Sequence, residues 1–189
     1  MRFSDKITEL SKKAEKMSRE MFESIDDIAF INQNKVLEAF REEQVSAAHF
    51  AGTTGYGYDD LGRDSLDRIY AKTFGCESAF VRHNIVSGTH ALTIMLFSVL
   101  RPGDTLLAIT GRPYDTLEGV IGINGAENGN LKDFGVNYKE VLLKDGKPDY
   151  EKIEEVLASD KTIKAAIMQR SRGYEMRPAL TIDEIEKLC

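Results

Sequence analysis

The sequence predicts an α/β fold with a mostly parallel sheet and an N-terminal helical arm. Short apolar segments alternate with helical segments over residues 79–189, which is typical of β–α–β units. The segment 105–110 is almost continuously apolar, as expected for a strand that is covered on both faces. Residues 1–50 show helical periodicity without a strand pattern. We therefore predict a helical arm over 1–50, followed by the first part of an α/β domain over 51–189.

The composition limits the classes of function. The chain has 189 residues, 42% of them hydrophobic, which excludes wholesale disorder. Its 25 basic and 31 acidic residues give a net charge of −6, which argues against a general binder of nucleic acid or anionic membranes. Cys76, Cys189 and the three histidines lack metal-ligand spacing, so no metal site is predicted. No signal peptide or apolar segment of about 20 residues is apparent, so we expect a cytoplasmic protein.

Two helical patterns occupy the predicted arm. Apolar residues recur at steps of three and four over 7–21, with Ser4 as the candidate N-cap, and a second pattern covers 32–44. The patterns fit a pair of peripheral helices, and they also fit an arm that lies on a larger body or on a second subunit. A loop rich in glycine and tyrosine follows over 51–63, and then a helix that ends at Gly75.

Strands and helices alternate in the rest of the chain. The predicted strands cover residues 79–83, 105–110, 138–143 and 163–168, and the predicted helices cover 87–100, 114–122, 150–158 and a last segment from 181. The last helix continues to Cys189 without a stop signal. A parallel sheet that stopped there would keep an open edge, so we expect the chain to be part of a longer protein.

Residues 87–90 (Ser-Gly-Thr-His) stand between a predicted strand and an apolar helix. The first N–H groups of a helix lack partners within the helix, and the helix dipole is positive there. Gly88 permits close approach to the backbone, and Ser87 and Thr89 add hydroxyl groups. The segment therefore fits a phosphate-binding site. It also fits a plain helix cap, in which Ser87 caps the helix and Gly88 only turns the chain.

The glycine and tyrosine loop offers aromatic and cationic side chains. Its glycine spacing matches a P-loop, but Arg63 and Asp64 stand where that motif has Lys and Ser or Thr. A Mg²⁺-nucleotide site is therefore disfavoured. Tyr56, Tyr58 and Arg63 remain candidates for contacts with an anion or a flat ring. The alternative is an exposed loop that is held by tyrosine packing.

Two further loops follow predicted strands, at the end where open α/β sheets bind ligands. Tyr114, in the segment 111–116 (Gly-Arg-Pro-Tyr-Asp-Thr), can lay its ring on a flat cofactor. Arg170 and Arg172, in the segment 169–174 (Gln-Arg-Ser-Arg-Gly-Tyr), can hold a carboxylate or a phosphate. A packed surface aromatic and a charged loop paired with acidic residues are the alternative interpretations.

Together, the segments 55–63, 87–91, 111–116 and 169–174 resemble those of the methionine γ-lyase-like family, also called aluminium resistance proteins. That family belongs to the cystathionine β/γ-lyase group of enzymes, which depend on pyridoxal 5'-phosphate (PLP). The resemblance implies the large domain of fold-type I PLP-dependent transferases, known as the aminotransferase fold. It also implies an N-terminal arm that packs on a partner subunit in a homodimer or homotetramer.

The resemblance implies roles for individual residues at the cofactor. Ser87, Gly88 and Thr89 would hold the cofactor phosphate. Tyr114 would be the catalytic residue, stacking on the pyridine ring and assisting proton transfer. The lysine that binds the cofactor covalently and the aspartate that faces the pyridine nitrogen lie beyond residue 189 in the family pattern. By itself the chain is therefore expected to hold half an active site and to be inactive.

The resemblance implies further contacts from the segments 55–63 and 169–174. Tyr56 matches a tyrosine that reaches the cofactor phosphate of the neighbouring subunit, and Tyr58 takes its place in a shifted alignment. Arg63 would assist there, while Gln169 and Arg172 would line the cofactor or substrate side. The resemblance thus implies an active site that two subunits share.

The implied activity is the cleavage or formation of C–S bonds in sulfur amino acids such as cystathionine or methionine, by β- or γ-elimination. Transamination or racemisation on the same cofactor is one alternative. A non-catalytic dimerisation module of the same fold is another. Release of a thiol with a 2-oxo acid would identify elimination, and a protein that binds no cofactor would favour the module.

Overall fold

The computed structural model describes residues 3–56, 58, 60–125 and 128–189. Gly57 and Asp59 of the glycine and tyrosine loop lie outside the described residues. The chain divides into two compact units, Met1–Asn84 and Ile85–Cys189. No helix in the described part combines the length and apolar character that a membrane crossing needs.

The first unit begins with one long helix, α1 (Asp5–Glu42). Ser4 caps it as predicted, because the Ser4 Oγ accepts a hydrogen bond from the Ile7 N–H at 3.4 Å. The prediction of two separate helices was wrong. No glycine or proline occurs within α1, so nothing in the sequence stops the helix between the two apolar patterns. Only Ala39 of α1 is buried.

The second helix of this unit, α2 (Leu61–Phe74), ends at Gly75 as predicted. A short 3₁₀ turn, Ala47–Phe50, separates it from α1. Glu43, just after α1, forms ion pairs with Arg68 at 2.6 Å and Lys72 at 2.9 Å, which tie α1 to α2. Hydrogen bonds from Lys72 and Arg68 lower the pKa of the Glu43 carboxyl below its ordinary value.

The predicted strand over 79–83 is wrong, because this segment is bound to α2 instead of to a sheet. The Val81 N–H donates a hydrogen bond to the Asp67 carboxylate at 2.7 Å. Arg82 donates to both oxygens of the same carboxylate, at 2.7 and 2.9 Å. The Arg82 guanidinium also lies 4.2 Å from the centre of the Phe80 ring. The Val81 N–H and the Arg82 side chain are thus bound by α2 and not by a neighbouring strand.

The second unit is built on three parallel strands in the order β2-β1-β3. Their bounds, with those of the helices around them, are α3 (Gly88–Val99), β1 (Thr105–Ala108), α4 (Asp115–Ile121), β2 (Asn137–Glu140), α5 (Tyr150–Ser159), β3 (Ile163–Ile167) and α6 (Ile182–Glu186). The predicted α/β fold with a parallel sheet after an N-terminal helical segment is confirmed, although that segment is one long helix instead of two. The expectation that the last helix runs to Cys189 was wrong, because α6 ends at Glu186.

Both faces of this sheet are covered, as the apolar sequence of β1 predicted. Leu106 and Leu107 are fully buried and point to opposite faces. Leu106 packs in a cluster with residues of α3, α4 and the segment after α4, including Leu96, Leu117 and Ile121. Leu107 packs in a second cluster that includes Ile153 of α5. Helices on both faces leave the ends of the strands as the places where loops meet.

An ion pair connects β2 to the turn between α5 and β3. The Lys139 Nζ lies 2.7 Å from the Asp160 carboxylate, which also accepts hydrogen bonds from the Thr162 N–H and hydroxyl at 2.8 and 2.6 Å. The Lys139 and Thr162 hydrogen bonds lower the pKa of Asp160 to about 2. Folding therefore favours the ionised carboxylate.

The lowered pKa of Asp160 predicts that this carboxylate stabilises the folded protein at neutral pH and loses that effect in acid. Asp160→Asn should lower the urea midpoint of the full-length protein at pH 7, because it removes a carboxylate whose pKa falls on folding. The difference from wild type should shrink as the pH falls from about 4 to about 2, where the wild-type carboxylate becomes protonated. Glu154→Gln makes the same chemical change on the exposed face of α5 and is the control. A difference that stays constant down to pH 2 would contradict the assignment.

Candidate active site

Three segments of the second unit meet at the carboxyl end of the sheet. They are the start of α3, the loop between β1 and α4, and the loop after β3. The Thr89 hydroxyl, in the first turn of α3, donates to the Thr116 hydroxyl in the first turn of α4 at 3.1 Å. The Tyr114 N–H, just before α4, donates to the side-chain oxygen of Gln169 after β3 at 2.7 Å. These two hydrogen bonds connect the three segments.

The start of α3 leaves two backbone donors available. The Ser87 Oγ accepts from the His90 N–H at 3.1 Å, and the Ser87 carbonyl accepts from the Ala91 N–H at 3.0 Å. Ser87 is therefore a true N-cap. In the part of the chain that the structure describes, the N–H groups of Gly88 and Thr89 have no hydrogen-bond partner. They lie at the positive end of the 12-residue helix α3.

The space next to Gly88 is open. Gly88 is exposed, and a Cβ built there meets no described atom within 4 Å. Thr89 is half-buried and its hydroxyl is held by Thr116. The side-chain position at the start of α3 is therefore unobstructed, and the neighbouring Gly88 and Thr89 N–H groups have no partner among the described residues. The interpretation as a cap is correct for Ser87, and it leaves the interpretation as a phosphate site open because the cap uses neither of these donors.

Tyr114 is held through its backbone and through its ring. Its ring stacks on that of Tyr174, with the ring centres 5.8 Å apart and an angle of 30° between the planes. The Tyr114 hydroxyl donates to the Tyr174 hydroxyl at 3.1 Å. This hydrogen bond raises the pKa of the Tyr114 phenol above its ordinary value, because it stabilises the protonated form that donates it.

Gln169 joins the loops that follow β1 and β3. Its N–H donates to the Thr110 hydroxyl at 2.8 Å, its side-chain oxygen accepts from the Tyr114 N–H, and its side-chain nitrogen donates to the Ser171 carbonyl at 3.2 Å. Both polar ends of this side chain therefore bind protein backbone. A contact of Gln169 with a cofactor or substrate stays a prediction.

The remaining predicted site residues form none of the contacts described so far. Arg172 is exposed and forms no ion pair with any described residue. Tyr56 and Tyr58 belong to the first unit, where their side chains are 84% and 83% exposed. Arg63 of the same unit has its Nε 3.8 Å from the Asp60 carboxylate. The roles assigned to these four residues stay predictions.

The sequence reasoning missed two residues that contact the predicted ones. Thr116 lies in the segment 111–116 and Tyr174 in the segment 169–174, yet the sequence motifs predict no role for either residue. A hydroxyl two positions after Tyr114, in the first turn of a predicted helix, was a usable signal for Thr116. The contact of Tyr174 depends on how the loop after β3 folds back, which residue spacing does not encode.

Comparison with known proteins identifies the family. The family model described as methionine gamma-lyase matches residues 7–189. The chain belongs to the methionine γ-lyase family. The resemblance found in the sequence is thus confirmed, and it covers more of the chain than the sequence motifs indicated.

Solved structures of this family share the fold. A carbon–sulfur lyase involved in aluminum resistance from Clostridium novyi NT is 50% identical, with a TM-score of 0.91 over 98% of this chain and 44% of that chain. A proposed cystathionine β-lyase involved in aluminum resistance from Clostridium acetobutylicum is 47% identical, with a TM-score of 0.93 over 98% of this chain and 45% of that chain. The uncharacterized protein YnbB of Bacillus subtilis (strain 168) is 51% identical over 166 residues, which are 87% of this chain and 39% of that protein.

The chain spans less than half the length of these relatives. The matched part contains the long N-terminal helix and the small parallel sheet with its helices. The three segments that meet at the sheet end all lie within it.

The hydrogen bond from the Tyr114 N–H to the Gln169 side chain leads to a testable prediction. In the full-length protein, Gln169→Leu should speed hydrogen exchange of the Tyr114 amide about fivefold or more, because its acceptor is lost. Gln169→Glu keeps a side-chain oxygen and should retain most of the protection. Exchange of the Tyr114 amide can be followed by NMR. Equal exchange rates in all three proteins would contradict the role of Gln169.

Proposed function

We propose that the full-length protein is a PLP-dependent carbon–sulfur lyase that acts on sulfur amino acids such as cystathionine or methionine, by β- or γ-elimination. In this proposal the second unit is the first part of a fold-type I large domain. The chain supplies the phosphate side and one ring face of the cofactor site. Membership of the methionine γ-lyase family and the carbon–sulfur lyase from Clostridium novyi NT support this assignment.

The hydrogen bond between Thr89 and Thr116 carries the proposal. It brings the anion-binding start of α3 next to the segment that holds Tyr114, within one unit of the chain. A phosphorylated flat ring is complementary to both, because its dianion suits the N–H groups of α3 and its planar face suits the Tyr114 ring. The open space at Gly88 and the two N–H groups without protein partners fit the dianion. The residues present therefore suit PLP.

The chain's own residues would bind and orient the cofactor. The N–H groups of Gly88 and Thr89, with the Ser87 hydroxyl, would hold the phosphate, and the Thr89 hydroxyl would join them by turning its proton from Thr116 to a phosphate oxygen. The Tyr114 ring would fix the plane of the cofactor ring, and its hydroxyl would be a proton donor near the substrate. PLP itself supplies an electron-withdrawing ring that stabilises negative charge at the substrate Cα.

Gly88→Leu tests the phosphate site. The added Cβ meets no neighbouring part of the described structure within 4 Å, so the variant should fold, and it puts a bulky side chain beside the Gly88 and Thr89 N–H groups. Its Kd for PLP in the full-length protein should rise about 10- to 100-fold, as expected for the loss of a hydrogen bond to a charged group. Equilibrium dialysis against PLP measures this change.

Two further variants complete that experiment. Thr89→Val removes a hydroxyl while keeping the shape of the side chain, and it should raise the same Kd by a smaller factor. Ser98→Leu adds an identical side chain to the exposed last turn of α3 and should leave PLP binding unchanged. If Gly88→Leu folds and binds PLP as tightly as wild type, the phosphate does not lie at α3.

The reaction type is tested separately by product analysis of the full-length protein with cystathionine, methionine and cysteine. Elimination releases a thiol together with a 2-oxo acid. Transamination gives the oxo acid without a thiol, and racemisation gives neither. A protein that binds no PLP at all would favour a non-catalytic module of the same fold.

We also propose that the full-length protein is a homodimer or homotetramer, with α1 packed on a partner subunit. Large apolar side chains of α1 support this, because Met17, Phe30 and Ile31 are 79%, 67% and 66% exposed. So large an exposed apolar surface is unusual for a helix that faces only water. Tyr56, Tyr58 and Arg63 would then reach the partner's cofactor site.

A charge placed on α1 should weaken this assembly. Ile31→Glu puts a carboxylate into the proposed contact and should lower the molar mass of the full-length protein, measured by light scattering after size-exclusion chromatography. Gln33→Glu adds the same charge on α1 at a residue that is already polar and serves as the control. An Ile31→Glu protein with the wild-type mass would place the subunit contact elsewhere.

A further inference from the structure

We propose that Tyr174 is a positioning residue, which fixes the ring and the hydroxyl of Tyr114 at the candidate active site. This inference rests on the proposed function, because it concerns the residue that would face the cofactor ring. Tyr174 lies in the loop after β3.

The two rings form a stacked pair. Their centres are 5.8 Å apart and their planes differ by 30°, which is the offset arrangement that aromatic pairs prefer. Tyr174 therefore covers one face of the Tyr114 ring. A flat ligand that stacks on Tyr114 must then use the opposite face, so Tyr174 decides which face is offered.

The hydroxyl groups add a second, directional contact. The Tyr114 hydroxyl donates to the Tyr174 hydroxyl at 3.1 Å, and this fixes the position of the phenol oxygen as well as the ring. The Tyr174 side chain is 85% exposed, so its own hydroxyl borders solvent. The pair thus runs from the half-buried Tyr114 to water.

The loop after β3 is shaped to present Tyr174. Gly173 has a φ of +57°, a backbone conformation that favours glycine, and a Cβ at that position would be in ordinary contact with Cδ2 of Tyr114 at 3.4 Å. The Ser171 carbonyl accepts hydrogen bonds from the Gln169 side chain at 3.2 Å and from Arg177 at 3.1 Å. The Glu175 N–H donates to the Arg172 carbonyl at 3.0 Å, which closes a turn around Tyr174.

Tyr114 is therefore clamped at two points by one loop. Gln169 binds its backbone N–H, and Tyr174 binds its ring and hydroxyl. A ring held only at its backbone could still rotate about the side-chain bonds. The Tyr174 contact removes that freedom before any ligand arrives, which lowers the entropic cost of stacking.

Tyr174→Phe separates the hydroxyl contact from the stacking contact, because it keeps the ring. The first measurement uses the full-length protein without PLP and follows the pKa of the Tyr114 phenol by NMR of ring-labelled tyrosine, with Tyr114→Phe to assign the signal. In wild type this pKa should lie above the ordinary value near 10, and in Tyr174→Phe it should fall back towards it. Tyr70→Phe changes a tyrosine that also contacts an aromatic ring, Phe74 at 5.9 Å, and should leave the Tyr114 pKa unchanged.

The second measurement uses the protein loaded with PLP. With the substrate on which wild type is most active among cystathionine, methionine and cysteine, Tyr174→Phe should lower kcat about fivefold and change KM little. This is the effect expected for the loss of one neutral hydrogen bond. Tyr70→Phe should change neither constant. A Tyr114 pKa or a kcat that is the same in Tyr174→Phe and wild type would overturn the proposal. Failure of the full-length protein to bind PLP would contradict the proposed function instead, and the phenol titration, which needs no cofactor, would still decide whether Tyr174 fixes Tyr114.

Discussion

The burial of β1 on both faces is the constraint on which the rest of the second unit depends. Leu106 and Leu107 pack against helices on opposite sides of the sheet, so neither face of the three-stranded sheet can offer a ligand site around them. The strands are parallel, so the loops after β1 and β3 leave the sheet at the same end, where α3 also begins. The fold thereby brings Thr89, Tyr114 and Gln169 together even though they are separated by up to 80 residues in sequence.

The resulting site combines two kinds of recognition. The start of α3 offers partial positive charge and free N–H groups, and the loop before α4 offers an aromatic ring. Neither is specific alone, since many helices begin at an exposed serine cap and many tyrosines lie on surfaces. Their connection through Thr89 and Thr116 is the observation on which the proposal of a phosphorylated planar ligand rests. Family membership independently points to the same chemistry.

Sequence reasoning succeeded where a local signal decided the structure. The apolar run of β1 and the cap at Ser87 are encoded within a few residues, and both are present. Two other features depended on contacts that are distant in sequence, and the sequence did not predict them. Residues 79–83 have the apolar character of a strand, yet the Asp67 carboxylate of α2 accepts a hydrogen bond from the Val81 N–H and forms an ion pair with Arg82. The pairing of Tyr174 with Tyr114 joins residues 60 positions apart and had no local signal at all.

The central claim is that the first turn of α3 holds the phosphate of PLP. The most direct measurement is a crystal structure of the full-length protein grown with PLP. The account predicts phosphate oxygens about 2.7–3.2 Å from the backbone nitrogens of Gly88 and Thr89, and the cofactor ring against the face of Tyr114 that Tyr174 leaves open. A PLP phosphate bound elsewhere in the protein, with those two N–H groups facing solvent, would contradict it.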